Sequence, residues 1–153
     1  MSQSTVITII LALGVASNAS SQEKKIQRAD LPAAVEQTLK TQSAGATVQG
    51  LSMETEKGHT YYEAEMTVAG HGKDVVIDEK GAVVEVEEEV MLDSLPTAVQ
   101  EGLKAKAGKG KIGKIESVTK GDKLVAYEAH VVTNGKKSEV KVGPDGKPLE
   151  GEY

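Results

Sequence analysis

Asp30-Leu-Pro-Ala-Ala-Val-Glu-Gln-Thr-Leu-Lys40 returns 64 residues later as Ser94-Leu-Pro-Thr-Ala-Val-Gln-Glu-Gly-Leu-Lys104, with six of eleven positions identical. Further along, Tyr62-Glu63-Ala64 returns as Tyr127-Glu128-Ala129 at an offset of 65, and Val75, Gly81 and Glu85 return at that same offset as Val140, Gly146 and Glu150. Three separated blocks that keep one register to within a residue read as a tandem duplication. Two copies are too few for an open solenoid.

Each copy opens with a helix signal. Leu31, Val35 and Leu39 recur at helical spacing beside Ala34, and Leu95, Val99 and Leu103 do the same beside Ala98. Pro32 and Pro96 suit a first turn, with Asp30 and Ser94, or Leu31 and Leu95, as caps. Gly102 lies inside the second helix, where it costs up to about 1 kcal/mol relative to Ala.

Strand signals follow. Thr60, Tyr62, Ala64, Met66 and Val68 alternate with Tyr61, Glu63, Glu65 and Thr67, and Val125, Tyr127, Ala129 and Val131 alternate with Ala126, Glu128 and His130. Weaker strands precede them at 47–56 and 112–120, with Gly50 and Gly113 as expected bulges. Turns at Asn134-Gly135, Gly81 and Gly146 lead to 74–78, 83–90, 138–142 and 147–152. The expected class is α+β: a tandem duplication of a helix plus a four-stranded antiparallel meander, helices on one face, with copies at 23–90 and 91–153.

The N-terminus carries an apolar run of eleven residues, Val6 to Ala16, followed by Ser17-Asn18-Ala19. A spanning helix needs about 20, so the run reads as a signal peptide over 1–19, cut after Ala19. The expected place is therefore periplasmic or secreted, with nothing embedded in a membrane after cleavage. Phe, Trp and Cys are absent, and the formal charge is −5. Without cysteine there is no disulfide framework, thiolate metal site or cysteine nucleophile. The negative charge argues against nucleic acid as a partner.

The tandem copies, each with a Leu-Pro-x-Ala-Val helix start and a Tyr-Glu-Ala strand, resemble the PepSY-like group, related in fold to the beta-lactamase inhibitory protein. The likeness covers Ile26 to Tyr153 and includes Val75-Val-Ile-Asp-Glu-Lys-Gly81 and Val140-Lys-Val-Gly-Pro-Asp-Gly146. It implies an exported, non-enzymatic protein that binds or restrains other proteins such as peptidases. Val76 and Ile77 stand where many members carry an aromatic, and the cysteine-stapled loop of the inhibitory protein has no counterpart, so inhibition of a particular enzyme does not carry over.

If the helices cover one sheet face, Tyr61, Glu63, Glu65, Ala126, Glu128 and His130, with Leu124 and Val132, line the other. They read either as a partner-binding face or as an ordinary half-solvated sheet. Glu85, Glu87, Glu88 and Glu89 form an acidic strand, read as a charged edge strand or as a loose small-ligand or cation site. Calcium needs six to eight oxygens, more than Asp78-Glu-Lys-Gly81 supplies. His59, His71 and His130 lack ligand spacing, so no metal or other cofactor is expected. The lysines at 104, 106, 109, 111 and 114 read as a solvated loop. No nucleophile elbow, phosphate loop or zinc pair suggests an enzyme. Charge divides the copies: residues 23–90 carry 7 Lys+Arg against 14 Asp+Glu, and 91–153 carry 11 against 9.

Overall fold

The computed structural model describes residues 23–149; residues 1–22, which include the expected signal peptide, and residues 150–153 lie outside the described residues. The order is β1 (Lys24–Lys25), α1 (Ala33–Gln42), β2 (Ala46–Glu56), β3 (His59–Val68), β4 (His71–Asp78), β5 (Val83–Glu89), α2 (Thr97–Ala107), β6 (Lys111–Lys120), β7 (Lys123–Thr133) and β8 (Lys136–Val142). Short 3-10 turns, Arg28–Asp30 and Leu92–Ser94, precede the helices. All eight strands form one antiparallel sheet in sequence order. The two sets of strands thus merge, β5 pairing with β6 through Glu85–Lys120 to Glu89–Glu116.

Both helices lie on one face, each turning its apolar stripe to the sheet. Val35 and Leu39 of α1 are buried with Ala64, Met66, Val75 and Ile77, and Tyr62 packs against them. Val99 and Leu103 of α2 are buried with Ile115, Ala129 and Val142, beside Tyr127. Cross-strand pairing carries one face through the junction. Val86 packs on the first core and pairs with Thr119. Two residues back, Ser117 pairs with Tyr127, which packs on the second.

Several local expectations need correction. The helices begin one residue beyond the prolines, so neither Asp30 nor Leu31 caps α1, and neither Ser94 nor Leu95 caps α2. Pro32 and Pro96 hold the cap position, their carbonyls accepting from Glu36 and Gln100 at 2.9 and 3.1 Å. Asp30 instead closes its 3-10 turn, accepting from the Gln27 N–H at 2.8 Å. The acidic strand is no edge strand: β5 is hydrogen-bonded on both sides. Of the strand expected at 147–152, the described part is one bridge, Val142 to Pro148. Register shifts stand at Val48/Gly50 and across Gly113, as the glycines suggest.

The turns after β4 and β8 dock on the helices. Gly81 and Gly146 have φ +86° and +78°, and a β-carbon on either would strike the carbonyl of Ala34 or Ala98. Only glycine permits that backbone and that closeness together. Thr38 Oγ donates to the Gly81 carbonyl at 2.6 Å. In α2 the matching position is Gly102, whose missing side chain lets the Gly146 carbonyl lie against the helix. The propensity lost at Gly102 is exchanged for close packing.

Candidate functional site

The face opposite the helices is open at its ends and closed at its centre. Val118 and Ala126, paired across β6 and β7, are fully buried there, as is Val76 nearly so. Around them stand buried carboxyl groups: Asp74 of β4, Glu85 and Glu87 of β5, and Glu116 of β6. Strand alternation places them. Val75, Val86 and Ile115 point to the helices, so their neighbours Asp74, Glu85, Glu87 and Glu116 point away. Pairing then sets Asp74 beside Glu87 and Glu85 beside Val76.

Oxygens of Asp74, Glu87 and Glu116 all lie within 4.8 Å of one another. At an effective dielectric of about 20, two unit charges so close repel by about 3 to 4 kcal/mol. Two devices relieve this. The Lys114 ammonium lies 2.5 Å from Glu116 and 3.9 Å from Asp74. Burial works against that ammonium, but its hydrogen bond to Glu116 and the nearby Asp74 and Glu89 outweigh burial and raise its pKa. The second device is protonation. Burial, then the charges of Glu116 and Glu85, push the Glu87 carboxyl far above the ordinary range. Burial raises Asp74 to about 6, with Lys114 pulling the other way. Three enclosed oxygens fall short of a calcium shell, and Lys114 already serves as their cation.

The sequence-predicted residues separate on this face. Glu63 is half-buried, but its Oε1 is fully enclosed without a hydrogen-bond partner. Burial, with Asp74 and Glu65 adding repulsion, raises it to about 8, and a neutral carboxyl tolerates such enclosure better than a carboxylate does. Tyr61 is half-buried and Glu65 exposed. Glu128 pairs with Lys141 at 2.7 Å. His130 reaches Glu116 through Nε2 at 3.1 Å and Glu139 through Nδ1 at 3.6 Å. Val132 is 42% exposed, whereas Ala126 belongs to the buried floor. A register shift sets Leu124 opposite Thr119, outside the alternation that joins Ala126, Glu128 and His130.

Sequence reasoning missed the grouping of Asp74, Glu87 and Glu116 with Lys114. Its signal was present: acids alternate with Val84, Val86 and Ile115, a pattern that points them at one face. What was lacking was the pairing of β5 with β6. Lys114 likewise leaves the expected solvated lysine loop and is half-buried.

No family description matches the sequence, and no curated protein matches it. Solved structures do. A BLIP-like protein from Bacteroides fragilis is 20% identical with a TM-score of 0.58, covering 80% of this chain and 85% of that one. A Bacteroides eggerthii protein given a provisional periplasmic description is 21% identical at a TM-score of 0.64, over 80% and 88%. A DUF2874 family protein from Bacteroides ovatus is 20% identical at 0.61, over 80% and 86%. At this identity the likeness establishes a shared fold: this chain is built on the α+β plan of the BLIP-like protein.

Proposed function

We propose that this chain is an exported, non-enzymatic protein-binding module that meets its partner with the sheet face opposite the helices. The observation that carries the reading is the use of the two faces. Both hydrophobic cores consume one face, while the other presents Tyr61, Glu63 and Glu65 at one end and Glu128, His130 and Val132 at the other. The BLIP-like fold supports it. Periplasmic or secreted placement draws on the apolar N-terminal run and on the periplasmic description of a structural neighbour. Among the described residues no helix is long and apolar enough to cross a membrane. Restraint of a peptidase or another envelope protein is one form such binding takes.

The same reading treats 23–90 and 91–153 as PepSY-like copies arisen by duplication, following a signal peptide at 1–19. The matched docking of Gly81 on Ala34 and Gly146 on Ala98 supports this. The acidic strand as a cation site is the weaker alternative, because Lys114 already lies among its carboxyl groups.

Capture from envelope extract tests the binding face. The partner retained by the wild-type chain is expected to be lost with Tyr61→Ala plus Glu63→Lys and kept with Lys40→Glu on the helix side. Equal capture by all three chains would rule out that face.

A further inference from the structure

The junction of the sheet differs from the rest of it. Among the described residues no buried residue belongs to both hydrophobic clusters, and apart from Val90, which packs on the second, the halves are joined chiefly by the β5–β6 ladder. The carboxyl cluster lies across that ladder. Asp74 and Glu87 come from the first half, Glu116 and Lys114 from the second. We propose that the β5–β6 seam is a proton-operated latch: with Glu87 neutral, the carboxyl groups of Asp74, Glu87 and Glu116 close across the seam around Lys114, and parting of the strands goes with release of that proton.

The surroundings of Glu87 leave little alternative to neutrality when the seam is closed. It is 6% exposed. From its own strand it meets Glu85, which shares a hydrogen bond with it, and from β6 it meets Glu116. Glu128 of β7 adds a third negative charge, itself held by Lys141 of β8. From β4, Asp74 lies opposite, with Glu65 and Glu63 of β3 beyond it. Glu89 adds to the field around Lys114. Lys114 pairs with Glu116 and Asp74, Lys120 with Glu85, and the His130 ring lies beside Glu116 and Glu139. Once the strands part, Glu87 meets water and titrates as an ordinary carboxyl near ~4.3. Opening at neutral pH then releases one proton, and a one-proton linkage makes the open fraction rise up to about tenfold per pH unit. The latch stands independently of what the open face binds.

Amide hydrogen exchange tests it, read as protection relative to intrinsic rates at each pH from about 6 to 8.5. The Val90 and Gly121 amides bond across the seam to Ile115 and Val84, and the β2–β3 amides serve as controls, with seam and controls both read in a Glu63→Gln chain as well so that the buried carboxyl of β3 does not titrate within the range. Seam protection is expected to fall about tenfold per pH unit, with β2–β3 protection much less affected. In Glu87→Gln, which keeps shape and removes the titration, seam protection is expected to stay flat. Flat seam protection in the wild-type chain would overturn the latch. So would a parallel fall in β2–β3, which would mark global unfolding, or an unchanged slope in Glu87→Gln. Should that variant fail to fold, the comparison of seam with β2–β3 in the Glu63→Gln chain decides alone.

Discussion

The α-carbon of Gly102 in α2 faces the carbonyl oxygen of Gly146 so closely that a methyl group on it would overlap that oxygen. Replacing Gly102 with Ala improves helix propensity by up to about 1 kcal/mol yet forces the turn off the helix, and overpacking costs about 1 to 3 kcal/mol. Gly102→Ala is expected to destabilise by about 1 to 2 kcal/mol net. Urea denaturation checks this; a more stable variant would show that the turn can move away freely.

Leu39 and Leu103 occupy matched places in separate cores, each almost free of solvent. Truncating either to Ala removes its burial and leaves a cavity, worth about 2 to 5 kcal/mol. Among the described residues the clusters share no buried residue, so the two losses should add to within about 0.5 kcal/mol. Chemical denaturation of the single and double variants, or of their partly compensated forms if the double falls below the folding threshold, measures the sum.

Glu63 makes stability depend on pH. Its folded-state value, raised to about 8, lies above the unfolded carboxyl value. The folded state therefore holds the proton more tightly. That contribution is complete below the unfolded value and is lost as pH rises through about 8. Relative to Glu63→Gln, the wild-type chain should lose on the order of 1 to 3 kcal/mol between about pH 5 and about pH 9, after allowance for partial exposure. Parallel stability profiles for the two chains would contradict this.

Lys114 holds together two carboxylates from opposite halves. Lys114→Met keeps the stem's bulk and removes the ammonium, leaving Asp74 and Glu116 without the cation between them. A loss of about 1 to 3 kcal/mol near neutral pH is expected, given that Lys114 is only half-buried, with a smaller loss near about pH 4, where Asp74, raised to about 6, is protonated. Thermal unfolding at the two pH values separates a charge effect from a packing effect, which would be equal at both.

Much of the architecture is legible in residues that repeat. Val35, Leu39, Val99 and Leu103 announce helices by spacing, and Tyr62, Ala64, Tyr127 and Ala129 announce strands by alternation, because both signals depend on local geometry. Asn134-Gly135 names its own turn, with φ +52° and +79°. The 3-10 turns and β1 were not legible, since Lys24 and Lys25 pair with Met53 and Ser52 without any apolar alternation. The carboxyl cluster was half legible. Alternation tells which way Glu87 and Glu116 point, but only the joining of β5 to β6 tells that they meet. The face expected to be open proved enclosed at Ala126, which lies beside the equally buried Val118 across β6 and β7.

The bridge from Val142 to Pro148 also bears on self-assembly. The segment after β8 folds back along it, with the Leu149 N–H donating to the Lys141 carbonyl at 3.2 Å. The outer rim of β8 is thus occupied at this end, and Pro148 presents no N–H for another strand to continue the ladder. At the other end Lys136 and Lys137 are exposed, and their charges oppose strand addition. A sheet that grows strand by strand across two halves therefore carries, in its last described turn, a brake on polymerising with copies of itself.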